Sequence, residues 1–132
     1  MTVRIAGYAA LFDVPDGDGD VIAKGAFARS LAEHGRVPLP FLWQHRPDQA
    51  IGTVEAIAED ARGLRVIARI DNGEGRAAAA LASGEATGLS FGYRARGYRR
   101  LPEGRLLQDI DLIEVSLVTH PLQHAARVHM TV

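Results

Sequence analysis

Apolar and polar residues alternate in short runs along most of this chain, with a period nearer two than 3.6, so strands dominate the reading. Residues 3–12 read as a first strand, and residues 13–20, rich in Asp, Gly and Pro, read as the turn that ends it. Residues 25–34 read as a short helix, with Phe27 and Leu31 four apart on one face and Gly35 just past its end. Pro38 and Pro40 lead into a short apolar strand over 41–45, which Pro47 stops. Residues 51–58 and 64–70 are two strands that pair as a hairpin through the turn at 59–63. Residues 74–83 favour a helix closed by Gly84. Strands over 88–96 and 106–118 complete the set, and residues 123–126 allow one helical turn. The expectation is a compact α+β domain over 1–132, β-rich, built as a curled sheet or small barrel with flanking short helices.

Composition narrows the classes of function. The chain has 132 residues, 47% of them hydrophobic and 23% charged, the balance of a globular domain large enough to bury a core unaided. It contains no cysteine, which excludes a disulfide framework, a thiol nucleophile and a Cys-ligated metal, and which suits a reducing compartment. Fifteen Lys and Arg against sixteen Asp and Glu give a formal charge of -1, so bulk charge attracts neither nucleic acid nor an anionic membrane. No signal-peptide pattern opens the chain and no apolar run approaches the ~20 residues of a membrane span. A soluble intracellular protein is expected.

Four segments place polar groups where a plain core would not need them. His45 stands at the end of an apolar strand before Arg46-Pro47, a position that suits either a base at the rim of a sheet or a solvent-facing strand end. Ser90 sits in Gly88-Leu89-Ser90-Phe91-Gly92, which has the Gly-x-Ser-x-Gly form of a nucleophile elbow but lacks the strand-turn-helix context of one. The glycines admit another backbone, or they mark a bulged strand. In residues 109–121, strict alternation puts Glu114 with Ile110, Leu112, Ser116 and Val118 on an apolar face, opposite Asp109 and Asp111. A carboxylate there needs a partner, either a histidine or one of the many arginines. Asp16, Asp18 and Asp20 alternate like the start of a calcium loop, but Val21 and Phe27 stand where an EF-hand needs Gly and Glu, so a turn is expected. The five histidines lack a zinc-binding spacing, so no metal or other cofactor is expected. Arg94, Arg96, Arg99, Arg100 and Arg105 form a basic patch beside Tyr93 and Tyr98, read as a solvated hairpin rather than a phosphate site.

Taken in order, these segments resemble the prohead protease family of tailed bacteriophages, which is distantly similar to herpesvirus assemblin. The resemblance rests on Gly7-Tyr8-Ala9-Ala10-Leu11-Phe12, Asp18-Gly19-Asp20-Val21-Ile22 and Gly25-Ala26-Phe27 at the start of the chain. It continues through Leu42-Trp43-Gln44-His45 with Pro47 and Ile51-Gly52, then Gly88-Leu89-Ser90-Phe91-Gly92-Tyr93, and ends on residues 111–119 with Pro121. It implies an assemblin-like fold and a serine endopeptidase that trims the major capsid protein precursor and scaffold segment inside the assembling prohead, in the bacterial host cytoplasm. It implies Ser90 as nucleophile, His45 as general base and Glu114 as the third member, with Asp111 in reserve, because the herpesvirus relatives use a second histidine in that role. It also implies a homodimer or higher self-association. A gene-transfer-agent or prophage protease would carry the same features. Two other classes remain open: a non-catalytic capsid-assembly or scaffold-binding module of the same fold, and a nucleic-acid module using the Arg94 to Arg105 hairpin, which the near-neutral charge disfavours. An oxyanion hole is expected from backbone amides after Thr119, near Leu122.

Overall fold

The computed structural model describes residues 1–35 and 37–132. The alternating runs become β1 (Val3–Leu11), β2 (Val21–Ile22), β3 (Pro40–Trp43), β4 (Arg46–Glu59), β5 (Gly63–Ile70), β6 (Gly88–Leu101), β7 (Gly104–Val118) and β8 (Val128–Thr131). Two short helices flank them, α1 (Ala28–His34) and α2 (Arg76–Ser83). All eight strands belong to one mixed sheet in the order β2-β7-β3-β4-β5-β1-β8, with β6 on the other edge of β7. The sheet curls but does not close, and its ends approach at the isolated bridge between Gly88 and Arg127. The core lies inside the curl, where Ile5, Leu64, Val66, Leu89, Ile110, Val115 and Leu117 pack around Phe27 and Phe41. Phe27 meets Phe91 edge-on at 5.2 Å, which ties α1's entry to the strand carrying Ser90.

Long β7 is the spine of the site. Its edge away from β6 is satisfied by a relay of elements rather than by one strand. The β2 strand pairs in parallel with Leu106 and Leu107, the Ile110 N–H donates to the Ala26 carbonyl at 3.0 Å, and β3 pairs in parallel with Val115, Ser116 and Leu117. Between them α1 supplies side chains: the Leu112 N–H donates to Ser30 Oγ at 2.9 Å and His34 Nε2 donates to the Leu112 carbonyl at 2.9 Å. A strand edge buried beneath a helix needs such partners.

Several elements differ from the sequence expectation. The first helix begins at Ala28 rather than residue 25, because Gly25 has φ +87° and its carbonyl receives the Ala28 N–H in a turn. The strand β4 starts at Arg46, several residues before the expected 51, because Trp43 pairs directly with Arg46 while Leu42 pairs with Ala50. Pro47 thus falls in the irregular stretch between those pairs, where its missing N–H breaks no ladder bond. The last two long strands extend to Leu101 and back to Gly104, farther than the sequence predicts. The short β2 and β8 were not expected, and residues 123–126 form one turn closed by the Ala126 N–H on the Gln123 carbonyl at 2.9 Å.

The most consequential difference is one of parity. Gly92 pairs with Glu114 and Tyr93 pairs with Leu112, so Ile113 is the extra residue of a β-bulge and points outward at 51% exposure. A one-residue slip exchanges the two faces of a strand. Ile110 and Leu112 therefore lie on the core face with Val115 and Leu117, whereas Glu114 and Ser116 lie on the opposite face with Asp111. The expectation that Glu114 shares an apolar face with Ile110 and Leu112 is corrected by this bulge.

Candidate active site

The β6–β7 ladder puts Ser90 opposite Ser116 and Gly92 opposite Glu114. Cross-strand partners project to the same side of a sheet, so Ser90, Ser116 and Glu114 share one face. Gly92 contributes no side chain, and the space is used: a Cβ there would collide with Glu114 Oε1 and lie 2.9 Å from its Cγ. Gly88 has a similar reason, since a Cβ would lie 2.6 Å from Pro121 Cδ. Both glycines flanking Ser90 are thus close approaches rather than free hinges.

His45 reaches this face from the turn after β3. Trp43 pairs with Arg46, leaving Gln44 and His45 as the central residues of a two-residue hairpin loop, at φ 52° and 60°. A type I′ loop requires positive φ at both positions and normally takes Asn or Gly there. Two ordinary side chains in that region are costly and persist only where their surroundings hold them. Here β7 does so. The Gln44 N–H donates to the Leu117 carbonyl at 3.0 Å, Gln44 Oε1 accepts the Thr119 N–H at 3.2 Å, and the His45 N–H donates to Ser116 Oγ at 3.1 Å.

The imidazole then meets the carboxylate, with His45 Nδ1 2.5 Å from Glu114 Oε1. Ser116 Oγ donates to the other oxygen, Glu114 Oε2, at 2.6 Å. Glu114 is 6% exposed, whereas the His45 ring remains partly open to solvent. Of the partners left open by the sequence, Glu114 takes the histidine and, among the described residues, no arginine. Ser90 is 6% exposed, and no hydrogen bond joins it to His45 among the described residues. No buried side-chain polar atom among those residues lacks a partner.

Asp111, on the same face, has different company. Arg29 Nη2 donates to its Oδ1 at 2.6 Å and Arg96 Nη1 to its Oδ2 at 2.9 Å. These guanidinium hydrogen bonds, that of Arg29 first, hold the Asp111 carboxyl below its ordinary value. In the expected turn, Asp16 Oδ1 accepts the N–H groups of Asp18 and Asp20 at 2.8 and 3.0 Å, while Asp20 pairs with Arg105 at 2.8 Å. Of the basic patch, Arg96 and Arg105 are thus engaged, and Arg94, Arg99 and Arg100 are exposed. Among the described residues no group of three His, Asp or Glu is placed to hold a metal ion. No helix there is long and apolar enough to cross a membrane. After Thr119, the Leu122 carbonyl accepts the Gly17 N–H at 3.0 Å and buried Gln123 bonds both backbone groups of Leu11.

The model of one family, described as the caudovirus prohead serine protease (Peptidase_S78), matches residues 1–132. The chain belongs to that family. It is 33% identical over 126 residues to the prohead protease of Enterobacteria phage HK97, an alignment covering 91% of this chain and 56% of that protein. It is 29% identical over 104 residues to the capsid polyprotein of Pseudomonas phage PAJU2, covering 70% of this chain and 16% of that one. The chain therefore spans about half of the first of these relatives and a small part of the second. Among solved structures it is similar to the bacteriophage T4 capsid assembly protease, with TM-score 0.72 at 14% identity, covering 87% of this chain and 80% of that one. Varicella-zoster virus protease is more distant, with TM-score 0.56 at 19% identity, covering 89% and 58%. A Kaposi's sarcoma-associated herpesvirus protease in complex with a hexapeptide phosphonate inhibitor gives TM-score 0.58 at 12% identity, covering 89% and 60%. These likenesses establish an assemblin-like fold for a prohead protease family member.

Sequence reasoning missed two contributors. Ser116 was passed over although it stands two residues after Glu114, hence on the same strand face. Gln44 was passed over because a left-handed Gln-His pair carries no turn signature.

Proposed function

We propose that this chain is a serine endopeptidase of head maturation that cleaves the major capsid protein precursor and its scaffold segment within the assembling prohead in the bacterial host. Ser90 is the nucleophile, His45 the general base and Glu114 the residue that orients the imidazole. The observation that carries the reading is one sheet face shared by Ser90 and Glu114, with Glu114 Oε1 2.5 Å from His45 Nδ1. Glu114 is preferred to Asp111 because both Asp111 oxygens are occupied by arginines.

With Glu114 ionised, its Oε1 accepts the Nδ1 proton of His45, which leaves Nε2 with a free lone pair. Nε2 removes the Ser90 proton as Oγ bonds to the scissile carbonyl carbon, and the imidazolium formed is stabilised by Glu114. His45 returns that proton to the departing amine as the peptide C–N bond breaks, leaving an acyl group on Ser90. Water, activated by His45 in the same way, hydrolyses the acyl group and frees Ser90. The arrangement tightens when substrate binds, since an apo site is commonly looser than the 2.6–3.2 Å working range. Backbone amides of the turn after Thr119 serve as oxyanion donors, other than that of Thr119 itself, which Gln44 occupies. The active form is a homodimer or higher self-association, and no cofactor takes part.

Co-expression of the chain with its cognate capsid precursor, followed by intact-mass analysis, tests the proposal. The expected result is one defined truncation of the precursor, absent with Ser90→Ala. An intact precursor with the parent chain in assembled proheads would leave the assembly-module reading instead.

A further inference from the structure

We propose that Ser116 is the positioning residue of this site, its hydroxyl setting both the plane of the Glu114 carboxylate and the seat of the His45 turn. The inference rests on the serine-protease reading above. Ser116 is fully buried at 0% exposure, and its Oγ lies 2.6 Å from Glu114 Oε2 and 3.1 Å from the His45 backbone nitrogen. A hydroxyl has one proton to give and two lone pairs to receive, and a backbone N–H can only give. Oγ therefore accepts from His45 and sends its own proton to Glu114 Oε2.

That single direction orders the whole cycle. The His45 N–H donates to Ser116, Ser116 donates to Glu114, and Glu114 Oε1 receives the His45 Nδ1 proton. The two carboxylate oxygens are thereby separated in task, one held by the hydroxyl and one offered to the ring. The terminal torsion of a glutamate is broad, so one bond alone leaves its plane loosely set, whereas two fix it. Removing the hydroxyl leaves Oε2 of a buried carboxylate and the amide of a left-handed residue both without their partner. The Gln44–Thr119 pair holds the neighbouring residue of the turn, but it reaches neither the imidazole nor the carboxylate.

The test compares Ser116→Ala, Ser116→Thr and Ser90→Ala in the full chain, on a peptide spanning the mapped cleavage site. Steady-state kinetics are read beside the proton NMR signal of His45 Nδ1–H. Ser116→Ala is expected to lower kcat about 100-fold with KM within about twofold, as a displaced catalytic group does. It should also shift or broaden the Nδ1–H signal. Ser116→Thr, which keeps the hydroxyl, should restore most of both. Where the alanine variant does not fold, Ser116→Cys, a little larger than serine and only a weak donor, should show the same kcat loss. Parent kcat in folded Ser116→Ala or Ser116→Cys, an unchanged Nδ1–H signal, or a folded Ser116→Thr as slow as alanine would each overturn the positioning role. The two readings fail separately. Parent-rate cleavage by Ser90→Ala sinks the nucleophile assignment, whereas inactive Ser90→Ala beside fully active Ser116→Ala sinks only the role of Ser116.

Discussion

The bulge at Ile113 divides one sheet face into two regions that hold a carboxylate by opposite means. On the Ser90 side, Glu114 is bound by an imidazole and a neutral hydroxyl, with no arginine in contact among the described residues. On the far side, Asp111 and Asp109 share Arg29, which also reaches Glu33, and Arg96 closes on Asp111. A guanidinium is never deprotonated and takes a carboxylate's charge permanently out of play. An imidazole can accept a proton and return it, so the carboxylate beside it answers to a charge that comes and goes. The same residue class on the same strand thus meets fixed positive charges in one region and an imidazole in the other.

That contrast can be broken most sharply at Ser90. Ser90→Ala should lower cleavage by about 10⁴-fold or more, with the thermal midpoint unchanged, as measured by peptide turnover and calorimetry. Glu114→Gln should follow with a loss of about 100-fold or more, because the amide can donate to Nδ1 and so favour the wrong tautomer. Gly92→Ala should cost about 100-fold in kcat without touching a catalytic atom, since its methyl takes the place of the Glu114 carboxylate. Wild-type kcat in folded Gly92→Ala would show that this space is not needed. Across the bulge, Asp111→Asn should leave kcat within about twofold and lower the thermal midpoint only slightly, as expected of a solvent-facing ion-pair network. A large kcat loss there would erase the distinction between the regions.

The smallest effect belongs to the hairpin's far end, where hydrogen bonds from Arg105 hold the Asp20 carboxyl below its ordinary value. The folded chain then binds fewer protons at Asp20 than the unfolded chain. The stabilisation is fully present above the unfolded carboxylate value of about 3.9 and is lost as pH falls through the lower folded value. Thermal midpoints of the parent and Asp20→Asn should therefore differ at neutral pH and draw together progressively as pH falls below about 4. A gap that widens with acid would reverse the sign of the argument.

The residues of the candidate site were easier to single out in the sequence than the strand pairings around them. The hairpin of β4 and β5, the Gly84 cap and the strand bearing Ser90 were readable because periodicity and turn chemistry agreed there. His45, Ser90 and Glu114 were singled out from their local patterns and from the family resemblance, and the fold brings them to one face. What was not readable depends on distant partners. The bulge at Ile113 follows from pairing with β6, so alternation along β7 alone gives the wrong face for Ile110 and Leu112. The left-handed Gln44-His45 loop is held by β7, which lies about seventy residues later and has no local signature. Two-residue β2 exists only because β7 offers an edge, which is tertiary context overriding propensity.

If the imidazole-held side of the bulge makes Ser90 a nucleophile, a peptide phosphonate forms a covalent adduct on it that mass spectrometry can map. The expected result is one adduct, on Ser90, lost in Ser90→Ala and strongly slowed in His45→Ala and Glu114→Gln, while Asp111→Asn labels at the parent rate. An adduct on another residue, or labelling of Ser90 indifferent to His45, would contradict it.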